Sequence, residues 1–203
     1  MFQSKILLSL LLTLLYLSCS DKAVYDDDFY SLLNDILSQY DSSAVVIDKP
    51  MNYKIFNHNK FLHQPPPPNG YNSVSIMDNE FQWFIDENYL KIDDSSAMMT
   101  QARNQSNLKF DNSKIKMKLI KKENVDTLYN TFGKSEFWEK LYTMINSYSV
   151  IFISKPLFNT SATIVYFQID YFCGGLCGYG TIYLFEKRNN EWQIIYQMES
   201  WIS

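Results

Sequence analysis

Apolar residues change their spacing along this chain, and each change predicts a different kind of element. The first pattern is a run. Ile6 to Leu17 is broken only by Ser9 and Thr13, with Lys5 ahead of it. A transmembrane helix takes about 20 apolar residues, so this run is too short to cross a bilayer. A short basic region followed by such a run has the layout of a signal-peptide core. The spacing then becomes helical. Phe29, Leu32, Leu33, Ile36 and Leu37 recur at three- and four-residue intervals in FYSLLNDILSQY. Asp26, Asp27 and Asp28 stand before them, where carboxylates favour the positive end of a helix. EFQWFIDENYL places Phe81, Phe84, Ile85 and Tyr89 on one side, with Asp78 as a cap. Asp93, Asp94, Ser95 and Ser96 offer another cap, for a short helix through Met98 and Ala102. Val125 to Phe132 and Lys134 to Asn146 read as two more helices. Phe137, Trp138, Leu141, Tyr142 and Ile145 form the packed face of the second.

Alternation takes over elsewhere. AVVIDKPMNYKIF reads as extended, interrupted by Pro50. IKMKLI sets Ile115, Met117 and Leu119 between lysines, as a half-buried strand would. Val150 to Ser154 is a strand. From Thr163 onward, Val165, Phe167, Ile169, Tyr171 and Cys173 share one face. Gln168 and Asp170 fall on the other, which reads as the solvent side. Thr181 to Lys187 follows, then a turn at Arg188-Asn189-Asn190-Glu191. In the last strand Trp192, Ile194, Tyr196 and Met198 alternate. Helices first and strands last give an α+β fold, with N-terminal and central helices packed on one face of a C-terminal antiparallel β-meander.

Composition adds compartments and exclusions. Hydrophobic content of 46% and aromatic content of 16% belong to a chain with a core. A net charge of -4 lacks the basic footprint of a nucleic-acid binder. Pro65 to Pro68 impose polyproline II geometry, and Asn69-Gly70 makes a turn. This stiff connector is the best candidate boundary. It divides the chain into a leader over 1–18, an N-terminal segment with a helix and the connector over 19–70, and a main α+β domain over 71–203.

The residues before Cys19 are Leu15, Tyr16, Leu17 and Ser18. This stretch resembles the lipobox of bacterial lipoproteins, in which a small residue precedes a cysteine that becomes lipidated and N-terminal. Ser18 fits that position; Tyr16 and Leu17 depart from the usual leucine and small residue. The resemblance implies a membrane anchor at Cys19, and Ser20 after the cysteine implies the outer membrane of a Gram-negative host. The rival is ordinary cleavage after Ser20, giving a secreted or periplasmic soluble protein. Either way the mature chain lies where disulfides persist.

Four of the six glycines, Gly174, Gly175, Gly178 and Gly180, fall in CGGLCGYG with Cys173 and Cys177. In a straight strand those cysteines would sit about 13 Å apart. A disulfide needs Cα atoms within about 7 Å, so the chain must turn sharply. Glycine permits that by reaching positive φ. A thioredoxin-like site wants C-x-x-C at a helix N-terminus; here the spacing is C-x-x-x-C between strands. Zinc needs more ligands, and His58 and His63 are distant in sequence. The glycine pattern matches no phosphate loop. A disulfide-stapled turn is the expectation, with no metal and no cofactor.

SVIFISKPLFN, ATIVYF, CGGLCGYG and IYLFEKRNNEWQII, preceded by FWEKLYTMIN, resemble a family of uncharacterised secreted or lipid-anchored bacterial proteins. The likeness runs from about Phe137 to Ile195. It implies an extracytoplasmic protein and transfers no catalytic residue. The expected function is therefore a non-enzymatic envelope module for binding or structure, with a protein or glycan partner. Two alternatives stand beside it. One is an extracytoplasmic enzyme using Cys173 and Cys177 for thiol exchange, or acids such as Asp170 or Glu186 for hydrolysis. The other is a glycan binder stacking sugars on an exposed member of Trp83, Trp138, Trp192 and Trp201.

Overall fold

The computed structural model describes residues 25–56, 73–77, 80–104, 107–174 and 177–202. Helix α1 (Asp27–Leu37) starts where the acidic cluster predicts: Asp26 is the N-cap, and its carboxylate accepts the Phe29 backbone N–H at 2.8 Å. Phe29, Leu33 and Leu37 are all fully buried. Strands β1 (Val45–Ile47) and β2 (Asn52–Phe56) flank Pro50 as expected. Then come β3 (Ser73–Met77), α2 (Glu80–Asp86), α3 (Ile92–Arg103) and β4 (Leu119–Ile120). Helix α4 (Lys122–Ile145) is two helices joined at Gly133, whose φ of 65° and ψ of -173° no side-chain-bearing residue adopts readily. The rest is β5 (Val150–Ile153), β6 (Leu157–Phe158), β7 (Ile164–Phe172), β8 (Gly178–Arg188) and β9 (Glu191–Ile202).

The fold is α+β, and β5, β7, β8 and β9 form the expected antiparallel meander. The sheet extends further than the meander, in the order β4-β1-β5-β7-β8-β9, with β6 on β7. Strand β1 lies parallel to both β4 and β5, so residues on both sides of the proline tract share one sheet. The proline tract itself, Asp78, His58, His63 and Cys19 lie outside the described residues. The β8–β9 hairpin closes through Asn189 and Asn190, with φ of 53° and 65°. Asparagine tolerates this conformation, and two such residues fit a two-residue hairpin loop.

Helices cover both faces of the sheet, not one. Helix α1 packs with Val46, Ile151, Ile153, Val165, Phe167 and Phe185. Helices α2, α3 and α4 pack on the other face with Val150, Phe152, Tyr166 and Leu184. The polar side of β7 is therefore inside the protein: Gln168 and Asp170 are buried. Alternation reports which residues share a face, but it does not report what other elements cover that face.

Two local expectations also change. IKMKLI pairs as a strand only at Leu119 and Ile120. Upstream, the buried Asn34 side chain donates to the Lys114 carbonyl at 2.7 Å and accepts from the Lys116 N–H at 2.8 Å. Those bonds satisfy backbone groups that a strand partner would otherwise take. Helix α3 has Lys91 as its N-cap residue without a side-chain bond; Asp93 and Asp94 sit inside its first turn. There they favour the helix dipole, and Asp94 accepts from the Thr160 N–H at 3.2 Å.

Candidate functional site

The glycine-cysteine stretch joins β7 to β8. Cys173 and Cys177 form a disulfide with Cα atoms 5.1 Å apart. The Cys173 N–H also donates to the Cys177 carbonyl at 2.9 Å, so the backbone closes the same loop. Gly174 takes a φ of 141°, the left-handed side that glycine allows. Gly175 lies outside the described residues. No helix begins at either cysteine, so no helix dipole stabilises a thiolate here.

Gly178 and Gly180 belong to β8, and what they supply is space. A Cβ on Gly180 would come within 2.2 Å of Trp201 Nε1 and 2.5 Å of Asp170 Oδ1. A Cβ on Gly178 would meet the Tyr171 carbonyl at 2.8 Å and the Trp201 ring at 3.0 Å. The reason lies in the register. Asp170 on β7 stands opposite Gly180 on β8, which stands opposite Trp201 on β9. The Trp201 indole N–H reaches across the empty glycine position and donates to Asp170 Oδ1 at 2.9 Å.

Asp170 is 2% exposed. Burial pushes its carboxyl pKa up to about 6, against hydrogen bonds from Gln168 and Trp201 that favour the charged form. The Gln168 amide donates to Oδ1 at 2.6 Å. The Gln168 backbone N–H donates to Ser154 Oγ at 2.7 Å, and Ser154 Oγ shares a hydrogen bond with the Tyr53 hydroxyl at 2.7 Å. A buried polar chain thus runs from Tyr53 through Ser154, Gln168 and Asp170 to Trp201. Raised carboxyl pKa values are common at catalytic sites. Here the carboxyl is buried, and Gln168 and Trp201 already donate to its Oδ1.

The other chemistry-bearing residues do not join it. Glu186 stands opposite Ile164, six ladder positions from Asp170, or about 20 Å at 3.3 Å per residue. Paired hydrolytic carboxylates work within about 10 Å of each other. Glu186 instead accepts from Arg188 Nε at 2.5 Å. Lys155 turns away from Ser154 and caps the end of α3, donating to the Gln101 and Asn104 carbonyls at 3.0 and 2.9 Å. Among the described residues, no three His, Cys, Asp or Glu side chains gather as a metal site would require.

The tryptophans divide. Trp201 is buried. Trp138 stacks on Tyr142 with centroids 5.5 Å apart and is half-buried. Trp192 lies under the Lys187 ammonium, 5.8 Å from the ring centre. Trp83 on α2 is the one left 41% exposed. It sits 5.0 Å from Tyr196 of β9 and 6.0 Å from Tyr89, centroid to centroid. The Tyr196 hydroxyl donates to Met198 Sδ at 3.1 Å, and Met198 is also exposed. These four side chains make an aromatic shelf along the β9 edge, with Phe84 beneath it. The sequence marked Trp83 and Tyr196 separately; only the docking of α2 against β9 joins them.

Comparison of the chain with protein-family models, with curated proteins and with solved structures gave no match.

Proposed function

We propose that this chain is a lipid-anchored protein of the bacterial cell envelope that acts by binding, not by catalysis. The observation that carries this reading is the contrast between its two polar-aromatic centres. Asp170 is locked into the sheet by Gln168 and Trp201, whereas the Trp83 shelf opens to solvent. A sealed carboxyl suits stability, and exposed aromatic surface suits recognition. The closed Cys173–Cys177 pair supports an oxidising compartment. Cys19 supplies the anchor, through more than one acyl chain, in the outer membrane of a Gram-negative host. The resemblance over Phe137 to Ile195 agrees with that address.

The test is the intact mass of the chain exported by a Gram-negative host, taken after thiol labelling without reduction. A lipidated N-terminal Cys19 with no label on Cys173 or Cys177 supports the reading. Cleavage after Ser20, or ready labelling of both cysteines, overturns its anchored or its disulfide part.

A second reading is glycan binding, favoured by exposed Trp83 beside Tyr89 and Tyr196. Stacking of a sugar on the indole would shift its fluorescence, and Trp83→Ala would abolish the shift. No shift with soluble oligosaccharides removes this reading.

A further inference from the structure

Strand β9 is the end of the sheet among the described residues. Its exposure differs sharply from that of β7, which is buried almost throughout. Alternate residues of an edge strand turn their N–H and C=O groups away from the sheet. Such an edge is a template for another strand. The ladder with β8 is regular from Glu191 to Ile194 and from Tyr196 to Glu199. Ile195 and Ser200 are the extra residues at the two register shifts. Bulges of this kind limit long edge-to-edge pairing and leave short regular stretches open.

Apolar side chains flank that backbone on both faces. Tyr196 and Met198 stand opposite Leu184 and Ile182, on the α2 side with Trp83. Ile194 stands opposite Phe185, on the α1 side, and is 51% exposed. Edge strands are usually blunted by lysine or proline. EWQIIYQMESWI contains neither; its only charges are Glu191 and Glu199, both exposed. Glu191 lies opposite Arg188 in the ladder, whereas Glu199 lies opposite Thr181 and faces no cation there.

We propose that β9 takes an extended segment of a basic partner polypeptide as an added strand. Tyr196 to Glu199 supplies the backbone hydrogen bonds, and the Trp83 shelf receives its apolar side chains. The proposal rests on the binding reading above and names the partner. Charge selects this occupant over a second copy of the chain. Antiparallel self-pairing centred on Ile195 would set Glu191 against Glu199, and no self-pairing register brings a cation to either. Strand addition draws affinity from the main chain and specificity from alternate side chains.

Two short capped peptides serve as probes, one alternating lysine with valine and one alternating glutamate with valine. Each is titrated against the full exported chain by fluorescence anisotropy, with amide hydrogen exchange followed along β9. The lysine peptide is expected to bind and to slow exchange at Tyr196 to Glu199. Glu199→Lys, a surface change that leaves the fold intact, weakens it about tenfold at low salt. N-methylation of alternate peptide amides abolishes binding. Equal binding of both peptides, no binding of either, or protection elsewhere overturns the proposal. Protection of β9 that grows with protein concentration alone also overturns it, in favour of a second copy. Peptide failure in a chain whose mass shows lipidated Cys19 and no thiol label removes only this inference and leaves the envelope reading standing.

Discussion

Gly180 occupies a point where three polar atoms converge. Trp201 Nε1, Asp170 Oδ1 and Ser200 Oγ would all lie within 2.5 Å of a Cβ placed there. Gly180→Ala therefore must push the indole off Asp170, adding steric strain and leaving buried polar groups unpaired. Urea unfolding should show a loss of about 3 kcal/mol. A change within about 0.5 kcal/mol, the range of ordinary surface substitutions, would contradict the packing described. Asp170 itself makes a prediction with a definite sign. Its folded pKa, about 6, is raised from 3.8 by burial. Between those values the folded state keeps a proton that the unfolded state gives up. Stability therefore falls as pH rises through that window, by about 3 kcal/mol in all. Asp170→Asn keeps Oδ1 as an acceptor and removes the ionisation. Its stability should be flat from pH 4 to pH 6 and above the parent's at pH 7. A variant with the parent's slope would place the titration on another group. The sequence names Asp170 as a candidate acid but not its burial or its bond to Trp201, because alternation places Asp170 on the polar side of its strand. The helices that bury that side come from residues 80–145, which strand periodicity cannot see.

Elements were the most legible scale. Spacing located α1 behind its acidic cluster, the two halves of α4 and the strands of the meander. Short or divided elements were less legible. IKMKLI alternates like a strand, yet Asn34 holds its first half by side-chain bonds. Gly133 separates the halves of α4 by conformation alone, since nothing lies within 4 Å of where its Cβ would be. Gly133→Ala should cost about 1–3 kcal/mol from backbone strain, with no clash to relieve. Thermal unfolding that leaves Tm unchanged would show that the kink is easily remade. The Cys173–Cys177 loop is small and has its own backbone hydrogen bond. Replacing both cysteines with serine should cost no more than about 2 kcal/mol while keeping the β7–β8 connection. Loss of the fold in that variant would make the staple a requirement of folding.

At the scale of the whole molecule, the sheet is mixed and covered on both faces. Strand β1 sits between β4 and β5, so the chain before the proline tract completes the sheet formed after it. This sandwich sets the two centres apart. The interior holds Asp170 with Trp201, and the far edge exposes Trp83 and Met198 beside half-buried Tyr196. No periodicity within one segment could foretell that edge, because it needs α2 docked against β9. The most direct measurement is hydrogen exchange of the indole N–H groups of the four tryptophans. Trp201 should exchange only with global unfolding, being buried and bonded to Asp170, whereas Trp83 should exchange freely. If Trp201 instead exchanges as fast as Trp83, Asp170 is open to solvent. The sealed-carboxyl account then fails, and hydrolytic chemistry at that carboxyl becomes the better reading.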